Sequence, residues 1–208
     1  MKKIVYLALI FCFTITSFAQ ETRTENNGNL ILEDVPAISQ SIKDDLKRYQ
    51  NVRSASFRGF HNENEGLYIS TRFGNVSQLH YVQSPGAARN QVTYFQEPIG
   101  SVATHPTDQS IIFTMDKGGT ENAQIYLLDT SSASAKLLSD GKSRNGGPLW
   151  STDGEKIAFQ STKRNGRSND IWIMNVMNPE EAQMVLESPD GTWWGASDWT
   201  EDLSLIHI

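Results

Sequence analysis

A sequence pattern that repeats every 46 residues constrains the fold of this chain more than any other feature of its sequence. One copy begins at Trp150 and passes through Phe159 and Ile171. An earlier copy places Phe113 and Ile125 46 residues before Phe159 and Ile171. A period in the forties with short strands is typical of β-propellers, in which each repeat folds as one four-stranded blade.

A looser copy precedes these two, and the beginning of another follows them. Leu79 lies 46 residues before Ile125, and Trp199 lies 49 residues after Trp150. The sequence therefore predicts an all-β fold: a partial β-propeller of about three four-stranded blades plus the first strand of a fourth, with one short N-terminal helix. The predicted blades span about residues 51–98, 99–141 and 142–190, and the next begins within 191–202. Because closed propellers usually contain 4–8 blades, we expect a truncated propeller.

The clearest repeat also predicts the strands of its own blade. They are Pro148–Trp150, Lys156–Gln160, Asp170–Val176 and Gln183–Leu186, each a short apolar or alternating run bounded by turn residues. The hydrophilic segment Ser161–Asn169 is predicted to be the hairpin between the second and third strands.

The N-terminus has the features of a secretory signal peptide. Lys2 and Lys3 precede an apolar stretch from Ile4 to Phe13, and small residues follow near Ala19. A membrane anchor is the alternative, but this stretch is too short to span a hydrocarbon core of about 30 Å. We expect cleavage after Ala19, export to the periplasm or the cell exterior, and no membrane span thereafter.

Cleavage would leave a chain with few options for special chemistry. The 18 basic residues fall to 16 against 24 acidic ones, which gives a net charge of −8. The chain has a single cysteine, Cys12, and it lies within the signal, so no disulfide is expected. No basic stripe suited to nucleic acid is present, and no cofactor is expected.

Residues 20–50 are predicted to be a lead-in to the propeller. Gln20–Glu33 is polar and is expected to be flexible. Ile38, Ile42, Leu46 and Tyr49 recur every three to four residues, which predicts one short amphipathic helix packed on the edge of the first blade.

Four segments resemble known propellers. Trp150–Phe159 resembles the WD40-like (PD40) repeat of TolB-type proteins. Tyr49–Phe57, Ile69–His80 and Ser84–Pro98 resemble the propeller entrance of secreted prolyl oligopeptidase and dipeptidyl aminopeptidase-like serine peptidases, family S9. The resemblance covers about residues 35–202.

The S9 resemblance implies a propeller that limits the access of peptides to an α/β-hydrolase domain with a Ser-Asp-His triad. This chain contains no G-x-S-x-G motif. Its nearest approach, Gly195–Trp199, is predicted to be a strand that begins the fourth blade, so no catalytic residue is assigned. We therefore expect a non-catalytic propeller fragment whose partner in cis is a missing C-terminal hydrolase domain. The alternative is a TolB-like periplasmic binding or scaffold protein.

Several residues invite a functional interpretation that we weigh against a structural one. His61, His80, His105 and His207 lack metal-ligand spacing, and His80 occupies the repeat position of Tyr126 and Trp172, which predicts strand packing. No metal site is expected.

Three other segments are less specific. The resemblance suggests that Glu180 and Glu181 could bind a substrate amine, because dipeptidyl peptidases of that class use a glutamate pair in the propeller. The surrounding sequence instead favours an exposed turn. Asp140–Gly147 fits neither a P-loop nor an EF-hand and is predicted to connect two blades. Arg72 could line a channel or pair with an acid. Residues 203–208 do not continue the repeat and are expected to be a non-native tail.

Overall fold

The computed structural model describes residues 22–189, 191–201 and 206–207, and it divides into two units, residues 1–37 and 38–208. In the first unit, β1 (Thr22–Glu25) and β2 (Leu30–Glu33) form an antiparallel hairpin across the 3₁₀ turn Asn26–Gly28. The expectation of a flexible lead-in did not foresee this hairpin, although Asn-Asn-Gly readily adopts the positive φ angles that its turn requires. The predicted signal peptide, residues 1–19, lies outside the described residues.

Among its described residues, the second unit contains one α-helix, α1 (Gln40–Gln50), followed by three four-stranded antiparallel sheets. Blade 1 consists of β3 (Ala55–Phe60), β4 (Leu67–Thr71), β5 (Gln78–Val82) and β6 (Asn90–Gln91). Blade 2 consists of β7 (Ile99–Thr104), β8 (Ile111–Met115), β9 (Gln124–Asp129) and β10 (Ser134–Leu137). Blade 3 consists of β11 (Asn145–Trp150), β12 (Lys156–Ser161), β13 (Asp170–Asn175) and β14 (Gln183–Leu186).

After blade 3, β15 (Asp198–Trp199) pairs antiparallel with β16 (Ile206–His207). The predicted fold class, an all-β partial propeller with one short helix, is confirmed. Three of the four strands predicted for the third blade lie within one residue of their predicted bounds, and β11 begins three residues earlier than predicted. Ile206 and His207 belong to the segment expected to be a non-native tail, and residues 203–205 and 208 lie outside the described residues.

The first strands of the three blades lie beside one another, in the order β3, β7, β11. Each of them carries a register shift against the second strand of its blade. Glycines fall at these irregularities, and a Cβ added to Gly59 would lie 2.7 Å from Thr104 Cγ2 of the next blade. Gly59 therefore permits the close approach of β3 and β7, whereas a Cβ at Gly100 or Gly146 would meet Thr114 or Gln160 in the second strand of its own blade.

Two hydrophobic clusters join the blades. Between blades 1 and 2, Leu79 packs with Ile111 and Phe113; between blades 2 and 3, Ile112 packs with Phe159. Because successive residues of a strand point to opposite faces, β8 supplies Ile111 and Phe113 to one cluster and Ile112 to the other. Each buried large side chain contributes about 1.5–3 kcal/mol, so the blades are held together by contacts with their neighbours.

Polar contacts repeat between neighbouring blades as well. The Trp150 indole Nε1 donates to Ala103 O at 3.1 Å, and the Trp199 Nε1 donates to Leu149 O at 3.3 Å. Each tryptophan thus bonds the first strand of the preceding blade, as expected for two copies of one repeat position. His105 accepts through Nδ1 from Thr107 N and Asp108 N, and its Nε2 lies 3.0 Å from Gly154 O, to which it donates.

A buried polar residue begins the third strand of every blade: Gln78, Gln124 and Asp170, which are spaced by 46 residues. Each forms a strand-start cluster, defined here as that residue with the side chains and backbone groups it bonds. In blade 1, the Gln78 amide donates to Phe95 O and Glu97 O and accepts from Phe95 N. The cluster therefore fixes the chain that leaves blade 1 to the start of β5.

Helix α1 begins where the Ser39 hydroxyl accepts from Ile42 N at 3.4 Å. Its last turn carries Lys47 and Arg48, which suit the negative end of the helix dipole. The prediction that its apolar side packs on blade 1 is wrong, because none of its residues is buried and Leu46 remains 43% exposed. Within the described ranges, no helix is long and apolar enough to cross a membrane.

Candidate functional site

Two cavities flank the loop between β4 and β5, and they share Phe73, Gly74 and Asn75 as a common wall. Each has a volume of about 550 Å³, which lies within the usual range of small-ligand sites. We call the first the amide cavity; its other lining residues are Val76, Gln78, His80, Gln91, Tyr94, Phe95 and Gln96. We call the second the cationic cavity; its other lining residues are Ile38, Lys43, Leu46, Lys47, Gln50, Asn51 and Arg72.

The amide cavity combines an ordered interior with unused amides at its rim. Gln78 makes three hydrogen bonds to the backbone between blades 1 and 2. Gln91 Nε2 donates to Thr93 O at 2.7 Å, and the Tyr94 hydroxyl donates to Gln91 O at 2.9 Å. Among the described residues, the exposed Asn75 and Gln96 amides make no hydrogen bond, so both remain available to a polar ligand.

His80 is the buried titratable group in the lining of the amide cavity. It is only 2% exposed, and its Nδ1 lies 3.0 Å from Gln78 O, so Nδ1–H is the donor. Burial lowers the pKa of His80, the bond to Gln78 opposes this, and the charge of Arg89 lowers the pKa further. The ring is therefore neutral at pH 7, and Phe73 covers it with a centroid separation of 5.2 Å.

The cationic cavity is lined by three basic side chains, those of Lys43, Lys47 and Arg72, and by no carboxylate. Lys47 pairs with Asp44 at 2.9 Å, but both groups are exposed, so the pair is weak. Within the described part of the chain, Lys43 and Arg72 make no ion pair. The excess of basic over acidic residues in this lining contrasts with the net charge of −6 of the whole chain.

Two further arginines reinforce this positive region. The Arg53 guanidinium lies over the Phe73 ring, 4.7 Å from its centroid. Arg89 Nη1 donates to Arg53 O at 2.8 Å and to Thr71 Oγ1 at 3.2 Å. Neither arginine pairs with an acid among the described residues. Their positions are therefore fixed by a ring and by neutral acceptors, which leaves their charge available to an anion.

The structure does not bring the predicted histidines together. His80 pairs with Ile69 as Tyr126 pairs with Phe113 and Trp172 with Phe159, as the repeat predicts. His61 stacks near Tyr68 at the opposite end of blade 1, and His105 bonds blade 3. The side chain of His207 lies outside the description. No group of three or more His, Cys, Asp or Glu residues in the described ranges could hold a metal.

The remaining candidates occupy loops. Glu180 and Glu181 are exposed in a 3₁₀ turn between β13 and β14, in agreement with the turn interpretation. Asp140 lies in the connection between blades 2 and 3 and accepts from Lys142 N, Ser143 N and the Ser143 hydroxyl. The last three residues of the predicted connection Asp140–Gly147 belong to β11. Ser197 is exposed immediately before β15.

Sequence reasoning missed both the strand-start clusters and the cationic cavity. The clusters had a visible signal, since Gln78, Gln124 and Asp170 recur at the repeat period. The cationic cavity had no such signal in the sequence. Lys43 and Arg72 belong to different elements, and the distance between them depends on the course of residues 51–55. Arg72 was singled out, but its cationic neighbours were not.

Comparison with solved structures shows the same fold in proteins of two kinds. Dipeptidyl peptidase 4 of Porphyromonas gingivalis matches with a TM-score of 0.51 and 10% identity, over 67% of this chain and 20% of that one. A protein assigned as TolB from Agrobacterium tumefaciens matches with a TM-score of 0.51 and 17% identity, over 81% and 62%. A structure from a study of two prolyl endopeptidases matches with a TM-score of 0.51 and 10% identity, over 85% and 32%.

These likenesses show that the chain has a β-propeller fold, of the type found in S9 peptidases and in TolB-like proteins. The chain spans less than two thirds of the length of each of these three structures. No family model matches the chain, and no curated protein matches it at the significance required.

Proposed function

We propose that the chain is the non-catalytic N-terminal propeller of an exported S9-type serine peptidase and controls the access of peptides to an α/β-hydrolase domain. One observation carries the proposal: the segments Tyr49–Phe57, Ile69–His80 and Ser84–Pro98 resemble the S9 propeller entrance, and all of them fall in or beside blade 1. Both cavities are lined by residues of blade 1 or its β4–β5 loop, and the cationic cavity is also lined by helix α1. The propeller likeness to two peptidase structures supports this reading.

Export is part of the proposal and rests on the signal-like residues 1–19. The proposed partner in cis is the hydrolase domain, and peptides are the proposed substrates of the whole enzyme. A propeller in this position would act by steric selection, because substrates would have to pass its first strands or the edge of a blade. The small residues of β3, β7 and β11 fit strands that crowd around such a passage.

A second function, a TolB-like binding or scaffold role in the cell envelope, is favoured by a different observation. The TolB match has the higher identity and covers a larger share of its own chain than either peptidase match. The two functions differ in whether the native protein contains a reactive serine.

Fluorophosphonate labelling distinguishes them. Antibodies raised against this chain isolate the native protein from envelope and secreted fractions of the source organism, and the isolate is treated with a fluorophosphonate probe. The S9 proposal expects a labelled band that the antibodies also recognise. An unlabelled protein contradicts it and supports the TolB-like role. The purified 208-residue chain is the control and should remain unlabelled.

A further inference from the structure

The two cavities beside the β4–β5 loop have complementary chemistry that the fold does not require. The amide cavity offers aromatic surface, from Phe73 and Tyr94, with unused amides at its rim. The cationic cavity offers Lys43 and Arg72 without a carboxylate in its lining. Since the cavities share the wall formed by Phe73, Gly74 and Asn75, a single extended ligand that crosses this wall would contact both.

We propose that the paired cavities form a binding site for a peptide segment in which an aromatic side chain lies next to a carboxylate. The aromatic side chain occupies the amide cavity, and the carboxylate lies in the cationic cavity near Arg72. This inference rests on the proposed role in peptide handling and adds the class of peptide recognised. The carboxylate could come from a peptide C-terminus or from an acidic side chain, since both present the same two oxygens.

The amide cavity is suited to the aromatic part of the ligand. Phe73 is 46% exposed and Tyr94 is 68% exposed, so both rings retain contact surface. Two neighbours hold the Phe73 ring in place. The Arg53 Cζ atom lies 4.7 Å from the ring centroid, and the centroid of the His80 ring lies 5.2 Å from it. An incoming ring can pack against Phe73, and the free amides of Asn75 and Gln96 can bond the peptide backbone.

The cationic cavity is suited to the carboxylate. Arg72 is half-buried and makes no hydrogen bond or ion pair among the described residues, and its guanidinium nitrogens are not among the buried polar atoms without a partner, so the group is accessible to a ligand. Its planar guanidinium can bond both oxygens of a carboxylate at once. Lys43, Arg53 and Arg89 add positive charge nearby, which favours anions over neutral ligands.

Fluorescence anisotropy of dansyl-labelled peptides tests the site on the purified full chain. The three probes are Gly-Gly-Phe with a free C-terminus, Gly-Gly-Phe amide, and Gly-Gly-Phe-Asp amide. We expect the free acid to bind about tenfold more tightly than Gly-Gly-Phe amide, which is the value of one charge-assisted bond. Tight binding of the Asp amide would extend recognition to acidic side chains, and weak binding would restrict it to C-termini.

Charge variants locate the site. Arg72→Gln and Lys43→Gln should each reduce the affinity for the acid several-fold and leave the weak affinity for the amide unchanged, because they remove charge without removing the aromatic cavity. Lys142→Gln, at an exposed lysine between blades 2 and 3, is the matched control and should have no effect. Circular dichroism and thermal melting establish that each variant is folded.

Equal affinity for acid and amide, no binding of the acid, or unchanged binding by folded Arg72→Gln and Lys43→Gln would each overturn the inference. Its failure is separate from failure of the proposed function. Fluorophosphonate labelling reports on a reactive serine of the native protein, whereas the anisotropy measurement reports on the two cavities of this chain.

Discussion

Blades 2 and 3 begin their third strands with different chemistry at the same position of the repeat. Gln124 in blade 2 is a neutral amide that donates to Asn122 O and Ser143 O and accepts from the Ser139 hydroxyl and Gly141 N. Because an amide both donates and accepts, it satisfies its surroundings without a counter-ion.

Asp170 in blade 3 can only accept, and it is completely buried. Arg164 bonds both of its oxygens, at 2.8 and 3.1 Å, and Ser188 bonds Oδ1 through its backbone N–H and its hydroxyl. Arg164 also pairs with Glu187 at 2.9 Å. The carboxylate in place of the amide therefore requires a cation, and Arg164 of the β12–β13 hairpin supplies it. As a result, the stability of blade 3 depends on an ion pair, whereas that of blade 2 does not.

Removing the cation should produce the largest effect. Arg164→Met leaves the Asp170 carboxylate buried without its counter-ion, which typically costs about 3–5 kcal/mol. We expect the free energy of unfolding, measured by urea denaturation, to fall by about 3 kcal/mol.

The matched control for this variant is Arg167→Met, at an exposed arginine of the same hairpin, and it should change the free energy of unfolding very little. A loss in Arg164→Met no larger than in Arg167→Met would show that blade 3 does not depend on this ion pair.

The reciprocal change in blade 2 should have the next largest effect. Gln124→Glu keeps both acceptors but loses the donations to Asn122 O and Ser143 O, and it places a charge against those carbonyl oxygens. The expected loss is about 2 kcal/mol, again by urea denaturation. Gln183→Glu, on the exposed strand β14, makes the same chemical change and should have little effect. A fully stable Gln124→Glu would mean that blade 2 accommodates a charge as readily as blade 3.

The comparison of blades 2 and 3 also shows which features could be predicted from the sequence. The 46-residue period predicted the strands of blade 3 and the equivalence of His80, Tyr126 and Trp172, because apolar alternation and turn residues are local signals. The partner of Asp170 was not predictable in this way. Arg164 lies six residues away across a hairpin, and no spacing rule distinguishes it from Lys163 or Arg167.

The cationic cavity could not be predicted from the sequence for a related reason. The periodicity of Ile38, Ile42 and Leu46 correctly predicted a helix, but it also suggested burial that the structure does not show. Hydrophobic spacing identifies the side of a helix that would pack, whereas the approach of another element depends on the chain between them. Lys43 therefore borders a cavity with Arg72 for reasons that lie outside either local pattern.

Replacing the carboxylate of blade 3 by the neutral amide of blade 2 should lower the free energy of unfolding less than Arg164→Met or Gln124→Glu. Asp170→Asn keeps the bonds from Ser188 but weakens those from Arg164, for an expected loss of about 1 kcal/mol at pH 7. This loss should depend on pH. Burial tends to raise the pKa of Asp170, but the bonds from Arg164 and Ser188 outweigh it and lower the pKa below its ordinary value of 3.8.

A lowered pKa in the folded state means that the unfolded chain binds more protons in acid. The charged form of Asp170 therefore stabilises the fold fully above pH 3.8, and this contribution is lost as the pH falls through the folded-state pKa. The difference between wild type and Asp170→Asn should accordingly be constant near neutral pH and shrink below about pH 4. A difference that grows in acid would contradict this account of the cluster.

A substitution in the exposed turn at Asp129 should have the smallest effect on the free energy of unfolding. This turn is a useful comparison with Asp170, because it lowers the pKa of a carboxyl group that is neither buried nor paired with an arginine. The Ser131 and Ser132 hydroxyls donate to the Asp129 carboxylate at 2.6 and 2.7 Å, and Ser131 N donates at 2.9 Å. These bonds lower the pKa of Asp129 to about 2. Carboxyl ¹³C NMR titration should find this value, and Ser131→Ala should raise it toward 3.8 with a loss of stability at neutral pH that is smaller than that of Asp170→Asn. A normal pKa in the wild type would show that hydroxyl donors in an exposed turn cannot replace the counter-ion that Asp170 requires.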